Sequence, residues 1–151
     1  MNVIAMSGND SVIINNRILA DFADGEIASI RFSGEIASMR TGKNNNSIYA
    51  INNSGRQAEV NIRVIRGGAD DKFLNNLLNT QNNNFAGFAL MNGEFVKKIG
   101  DGKGNITSDT YIMAGGIFTK FVEAKSNTEG DTEQSVAIYT LRFSNGPRTI
   151  G

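Results

Sequence analysis

The chain has no cysteine, no histidine and no tryptophan among its 151 residues, and a single proline, Pro147. Each absence removes chemistry. Without thiolate or imidazole there is no structural zinc site, no cysteine nucleophile, no Ser-His-Asp triad and no histidine-ligated haem. No disulfide can staple the fold, so a core or a neighbouring molecule must hold it. An excess of one charge is missing as well. Fifteen Lys plus Arg balance fifteen Asp plus Glu, whereas proteins that grip nucleic acid through phosphate carry a basic excess. A neutral surface repels itself little, which makes ordered self-association cheaper. No stretch approaches the roughly 18 apolar residues of a membrane helix. The opening MNVIAMSGND lacks the basic flank of a secretory signal. These features predict a soluble protein made in the cytoplasm.

With 40% hydrophobic and 20% charged residues the chain has a globular balance. Its length suits one domain, residues 1–151, that buries roughly 70% of its unfolded surface. Ser11–Asn15 and Arg17–Phe22 read as strands joined by a turn at Asn15-Asn16. In RQAEVNIRVIR, residues 56–66, Ala58, Val60, Ile62 and Val64 share one face, while Gln57, Glu59, Asn61 and Arg63 share the other. That alternation predicts a strand with one wet side. The period changes in ADDKFLNNLLNT, where Phe73, Leu74, Leu77 and Leu78 make one stripe of a helix over about 69–80. Asp70 or Asp71 is placed to cap it, after the strand break at Gly67-Gly68. Asn75-Asn76 falls on its solvent side.

Strands then resume. Asn92-Gly93 predicts a hairpin between Phe88–Met91 and Phe95–Lys98. Asp101–Asn105 is a tight loop, followed by strands at Thr110–Ala114, Ile117–Ala124 and Val136–Phe143. The last is apolar on both faces, which predicts a central strand covered by the helix on one side and a sheet on the other. GEIASIRFSGEIASMR, residues 25–40, says nearly the same thing twice. Stacked repeats need at least about three copies, and no third appears. The two copies therefore read as adjacent strands of one hairpin, the second leading into the loop TGKNNN. The expected fold is mainly β (α+β), with two packed antiparallel sheets forming a sandwich or barrel and one flanking helix.

Candidate chemistry is sparse. DGKGNITSD starts like a calcium loop, yet Lys103 stands at the third position, and no glycine or glutamate at the sixth and twelfth. The acidic stretch Glu123, Glu129, Asp131 and Glu133 offers carboxylates for a divalent cation or a carboxylate-based hydrolase, but at a turn between strands such charges are usually just solvated. GxSxG, GxxxxGK[ST] and GxGxxG are all absent. The residues thus imply no enzyme, metal or cofactor. Asparagines cluster, and amides can bond a partner without a charge's desolvation cost. In Thr41, Gly42, Lys43, Asn44, Asn45 and Asn46, a plain polar loop and a contact surface are both open readings.

SGNDSVIINNRILADFADGE, TGKNNNSIYAINNSG, DDKFLNNLL, GEFVKKIGDGKGNITSDTYIMAGGIFTK and EAKSNTEGDTEQSVAIYTLRF span Ser7 to Phe143. Taken in that order, they resemble the tail tube proteins of contractile-tailed bacteriophages. The resemblance implies six copies per ring, with rings stacked into the inner tube of the tail. It implies neighbours too: a sheath, a tape-measure protein, a baseplate and a tail terminator protein, with DNA passing non-specifically through the tube. The chain would then reside in the virion, after assembly in the host cytoplasm. Gln57, Glu59, Asn61 and Arg63 become candidates for the lumen wall. Thr41–Asn46 becomes a candidate ring-stacking loop, with Lys43 meeting an acidic contact turn at Glu129, Asp131 and Glu133. A tube from a related contractile injection particle is a close variant, and a monomeric β-sandwich binding module a distinct alternative.

Overall fold

The structure is a computed structural model that describes residues 3–6, 10–128, 130 and 132–151. Its strands are β1 (Ala5–Met6), β2 (Ser11–Ile14), β3 (Arg17–Ile18), β4 (Ala28–Phe32), β5 (Ala37–Thr41), β6 (Ser47–Ile51), β7 (Ala58–Ile65), β8 (Met91–Gly100), β9 (Ile106–Phe118), β10 (Val136–Phe143) and β11 (Arg148–Ile150), with helix α1 at Ala69–Asn83 between β7 and β8. Nine strands form one sheet in the order β3-β2-β8-β9-β10-β7-β4, with β1 on β8 and β11 on β9. Its end strands β3 and β4 do not pair, so the sheet is not closed into a barrel. β5 and β6 form a separate two-stranded sheet.

The long strand β9 joins the two halves. Its first part pairs with β8, and its last residues, Ile117 and Phe118, pair with Arg142 and Leu141 of β10. The halves face one another across a single core. Val12, Ile14, Met91 and Met113 come from one half, and Val60, Ile62, Val64, Tyr139, Leu141 and Phe143 from the other. Leu74 and Leu78 of α1 complete it, with Phe73 and Leu77 half-buried beside them. The wet and dry faces of β7 fall as its alternation predicts, with Ala58, Val60, Ile62 and Val64 fully buried.

Asn15 and Asn16 take φ of 47° and 66° between β2 and β3, the left-handed pair that a tight two-residue hairpin needs. Asn92-Gly93, however, is no turn. It lies inside β8, beside a bulge between Met91 and Gly93. A Cβ at Gly93 would stand 3.2 Å from Ile14, Met113 and Phe143, so this glycine makes room for the Phe143 ring rather than reversing the chain. Gly116 does the same from β9, where a Cβ would lie 2.4 Å from that ring.

Other expectations change for tertiary reasons. The strand expected over Arg17–Phe22 is only Arg17–Ile18. The expected pair Thr110–Ala114 and Ile117–Ala124 is one strand, β9, that stops at Phe118. There the Gln81 side chain accepts from the Phe118 N–H at 2.8 Å and donates to its carbonyl at 2.9 Å. The helix runs on to Asn83, which places Gln81 inside it. The two GEIAS copies are not hairpin partners. β4 pairs with β7, and β5 pairs with β6. Nor is β10 covered by a sheet on its outer side, since Ile138 is 45% exposed there.

The cap of α1 is also exchanged. Neither Asp70 nor Asp71 caps the first turn; Asp21 Oδ2 accepts from the Ala69 N–H at 3.1 Å. Asp70, only 2% exposed, returns the contact. Its Oδ2 accepts from the Ala20 and Asp21 N–H groups at 2.6 and 2.7 Å, and its Oδ1 from Arg17 Nε at 3.1 Å. Burial pushes its pKa up, but those donors together outweigh burial and hold it below the usual carboxylate range.

Candidate functional site: an exposed arm and a polar face

The second GEIAS copy builds the most unusual part of the molecule. Among the described residues β5 and β6 pair only with each other, with Met39 opposite Tyr49 and Arg40 opposite Ile48. Every residue of both strands is exposed. Strand alternation puts Ala37, Met39, Tyr49 and Ile51 on one face and Ser38, Arg40, Ile48 and Ala50 on the other. Met39 is 68% exposed, Tyr49 74%, Ile48 57% and Ile51 65%. A two-stranded hairpin is at best marginally stable alone in water, and contiguous exposed apolar surface marks contact sites.

The root of this arm is fixed. The Asn52 N–H donates to the Ile36 carbonyl at 2.8 Å, and Ser33 Oγ to the Ser54 carbonyl at 2.6 Å. Gly55 is buried so close to Glu35 that a Cβ would meet its carbonyl oxygen at 2.3 Å. Thr41, Gly42, Lys43, Asn44, Asn45 and Asn46 form the tip, with a short 3-10 turn at Lys43–Asn45. Asn44 and Asn45 take φ of 61° and 64°, conformations that asparagine tolerates well. The predicted loop is therefore the end of a longer arm. Sequence reasoning missed the arm because pairing of β5 with β6, rather than with β4, is not written in the words themselves.

At the root opens a cleft of about 650 Å³ between Phe32, Ile36, Arg56, Tyr111 and Pro147. Arg148 lines it too, donating to Asp109 from Nε at 2.7 Å and Nη2 at 2.9 Å. These bonds hold the Asp109 carboxyl below its usual range. Ile36 and Arg56 also line a trough of about 460 Å³ along the arm's Tyr49 and Ile51. Apolar surface is thus continuous from the mouth of the sandwich onto the arm.

The second feature is the outer face of β7 and β10. Glu59 accepts from Arg142 at 3.0 Å, Asn61 from Thr140 at 2.9 Å, and Glu133 from Arg63 at 3.0 Å, while Gln57 accepts from Arg142 at 3.5 Å. Gln57 is exposed, and Glu59, Asn61 and Arg63 are half-buried, on the side away from the core. The segment after β9 crosses part of this face, leaving a groove of about 430 Å³ that Asn61, Glu123, Ile138 and Thr140 help to line. Of the acidic contact turn, Glu129 and Asp131 lie outside the described residues, and Glu133 is engaged by Arg63.

No group of three or more His, Cys, Asp or Glu able to hold an ion occurs among the described residues. Asp101 instead shapes its own turn, accepting from the Lys103 N–H at 2.7 Å and from Asn105 Nδ2 at 2.8 Å. Among the described residues no helix is long and apolar enough to cross a membrane. No family model and no curated protein matches this chain.

Proposed function

We propose that the chain is a structural building block. Copies join edge to edge into a closed, six-membered ring, and rings stack into a hollow tube. By its resemblance this is the inner tube of a contractile phage tail, a conduit for DNA that works within the sheath. A related contractile injection particle would use the same construction.

The observation that carries this reading is the arm. On full burial, Met39, Tyr49 and Ile51, which share a face, would contribute up to about 1.5–3 kcal/mol each. One arm seated on a neighbour would then offset much of the about 4–15 kcal/mol cost of association. The sheet's free end strands β3 and β4 supply edges for strand addition between subunits. A contact between unlike surfaces closes a ring when its rotation closes, and stacking extends that ring to a tube. The outer face of β7 and β10 suits a lumen, because its Arg142 and Arg63 are matched by Glu59 and Glu133. The balance belongs to the two strands, because the groove beside them also carries Arg66, Lys120 and Lys125 against Glu123 and Glu133.

The test removes the arm. Residues 37–51 are replaced by Asn-Gly, a two-residue turn that links Ile36 to Asn52. The variant should remain a folded monomer while the full chain forms rings or tubes. Normal assembly without the arm would overturn the reading.

A further inference from the structure

The ladder between β9 and β10 ends at Thr119 and Thr140. Its register pairs Ile117 with Arg142 and Phe118 with Leu141, and the Thr119 N–H donates to the Thr140 carbonyl at 3.0 Å. Continued in step, this register would set Lys120 opposite Tyr139, Phe121 opposite Ile138, Val122 opposite Ala137 and Glu123 opposite Val136. No backbone hydrogen bond joins residues 120–124 to residues 136–139. The groove of about 430 Å³ separates them, lined by Phe121 on one side and Ile138 on the other.

Where Glu123 and Val136 would meet stands Arg66. Its Nη2 donates to the Glu123 carbonyl at 2.8 Å and to the Val136 carbonyl at 3.0 Å. One guanidinium therefore occupies the place where these two residues would bond each other. Part of a strand's alternation survives in the segment, although Lys120, between Phe118 and Val122 on the same parity, is exposed. Val122 packs against the core as Phe118 does, and Phe121 points outward, 63% exposed. Exposed backbone edges of this kind readily accept a partner strand.

We infer that residues 119–123 are a strand held off its ladder, that Arg66 is the wedge, and that they close onto residues 136–140 in the register Phe121 to Ile138 when Arg66 withdraws. Closure would form paired bonds between Phe121 and Ile138 and bond the Glu123 N–H to the Val136 carbonyl. It would also eliminate the groove and extend β9 along the proposed lumen face. The geometry alone carries this inference, whether or not the chain builds a tube.

The test uses amide exchange and a crosslink. In Arg66→Ala, the Phe121, Glu123 and Ile138 amides should exchange at least about tenfold more slowly than in the wild type, while β7 protection stays unchanged. Because the chain has no cysteine, Phe121→Cys with Ile138→Cys introduces the only two thiols. Facing positions in a closed ladder lie within disulfide reach, and Cα atoms more than about 7 Å apart do not. The bond should form on oxidation, faster with Arg66→Ala added. Unchanged exchange in a folded Arg66→Ala protein would overturn the inference. So would two accessible thiols that never join, and that result holds even if Arg66→Ala fails to fold.

Discussion

Replacing Asp70 with Asn tests how the helix is tied to the sheet edge. The carboxylate is 2% exposed, and one of its oxygens takes two backbone N–H groups at 2.6 and 2.7 Å. An amide oxygen can still accept both, but without the charge each bond loses roughly 1 to 1.5 kcal/mol. The new NH2 would also face the Arg17 guanidinium. The partner matters less, because the Arg17 side chain is 42% exposed and such ion pairs contribute about 0–1 kcal/mol. Asp70→Asn should therefore cost about 2–3 kcal/mol at pH 7, a melting-point drop of roughly 5–10 °C for a chain of this size. Arg17→Ala should cost about 1 kcal/mol, including its contact over the Phe73 ring. Because folding lowers the Asp70 pKa, its contribution is complete above the unfolded value of about 4. It is lost as pH falls through the lower, folded value. Urea titrations of both proteins at pH 7 and pH 3 measure this, and the gap between them should be smaller at pH 3 than at pH 7. A loss below about 1 kcal/mol for Asp70→Asn, or one matched by Arg17→Ala, would refute the reasoning.

Two further substitutions probe the interior, beside one exposed control. Gly116→Ala drives a methyl into the Phe143 ring and should cost about 1–3 kcal/mol. Gly34→Ala, with nothing within 4 Å of the new atom, should stay within about 0.5 kcal/mol in the same urea titration. Gln81→Leu leaves the Phe118 N–H and carbonyl without their partner, which should cost about 2–4 kcal/mol. Amide exchange at Phe118 should quicken more than at Val60, which lies in β7 away from the substitution.

Legibility in the sequence followed the range of the interactions. β7 could be read because its two faces meet different surroundings, and α1 because its stripe repeats within one element. The Asn15-Asn16 turn is local backbone chemistry. Asn92-Gly93 misled because the demand for glycine came from Phe143, some 50 positions along the chain. Asp70 misled similarly, since its partners Ala20 and Asp21 lie 50 and 49 residues away. The twin GEIAS words show the limit most clearly. Nearly identical strings joined different sheets because partners, not words, decide pairing. The polar tip Thr41–Asn46 was visible as a loop, whereas the arm beneath it was not.

The most direct measurement is negative-stain microscopy of the purified full chain at high concentration, beside the protein lacking residues 37–51. The full chain should give rings or stacked tubes, and the shortened one only monomers. A full chain that stays monomeric at every concentration, or a shortened chain that still builds tubes, would contradict it.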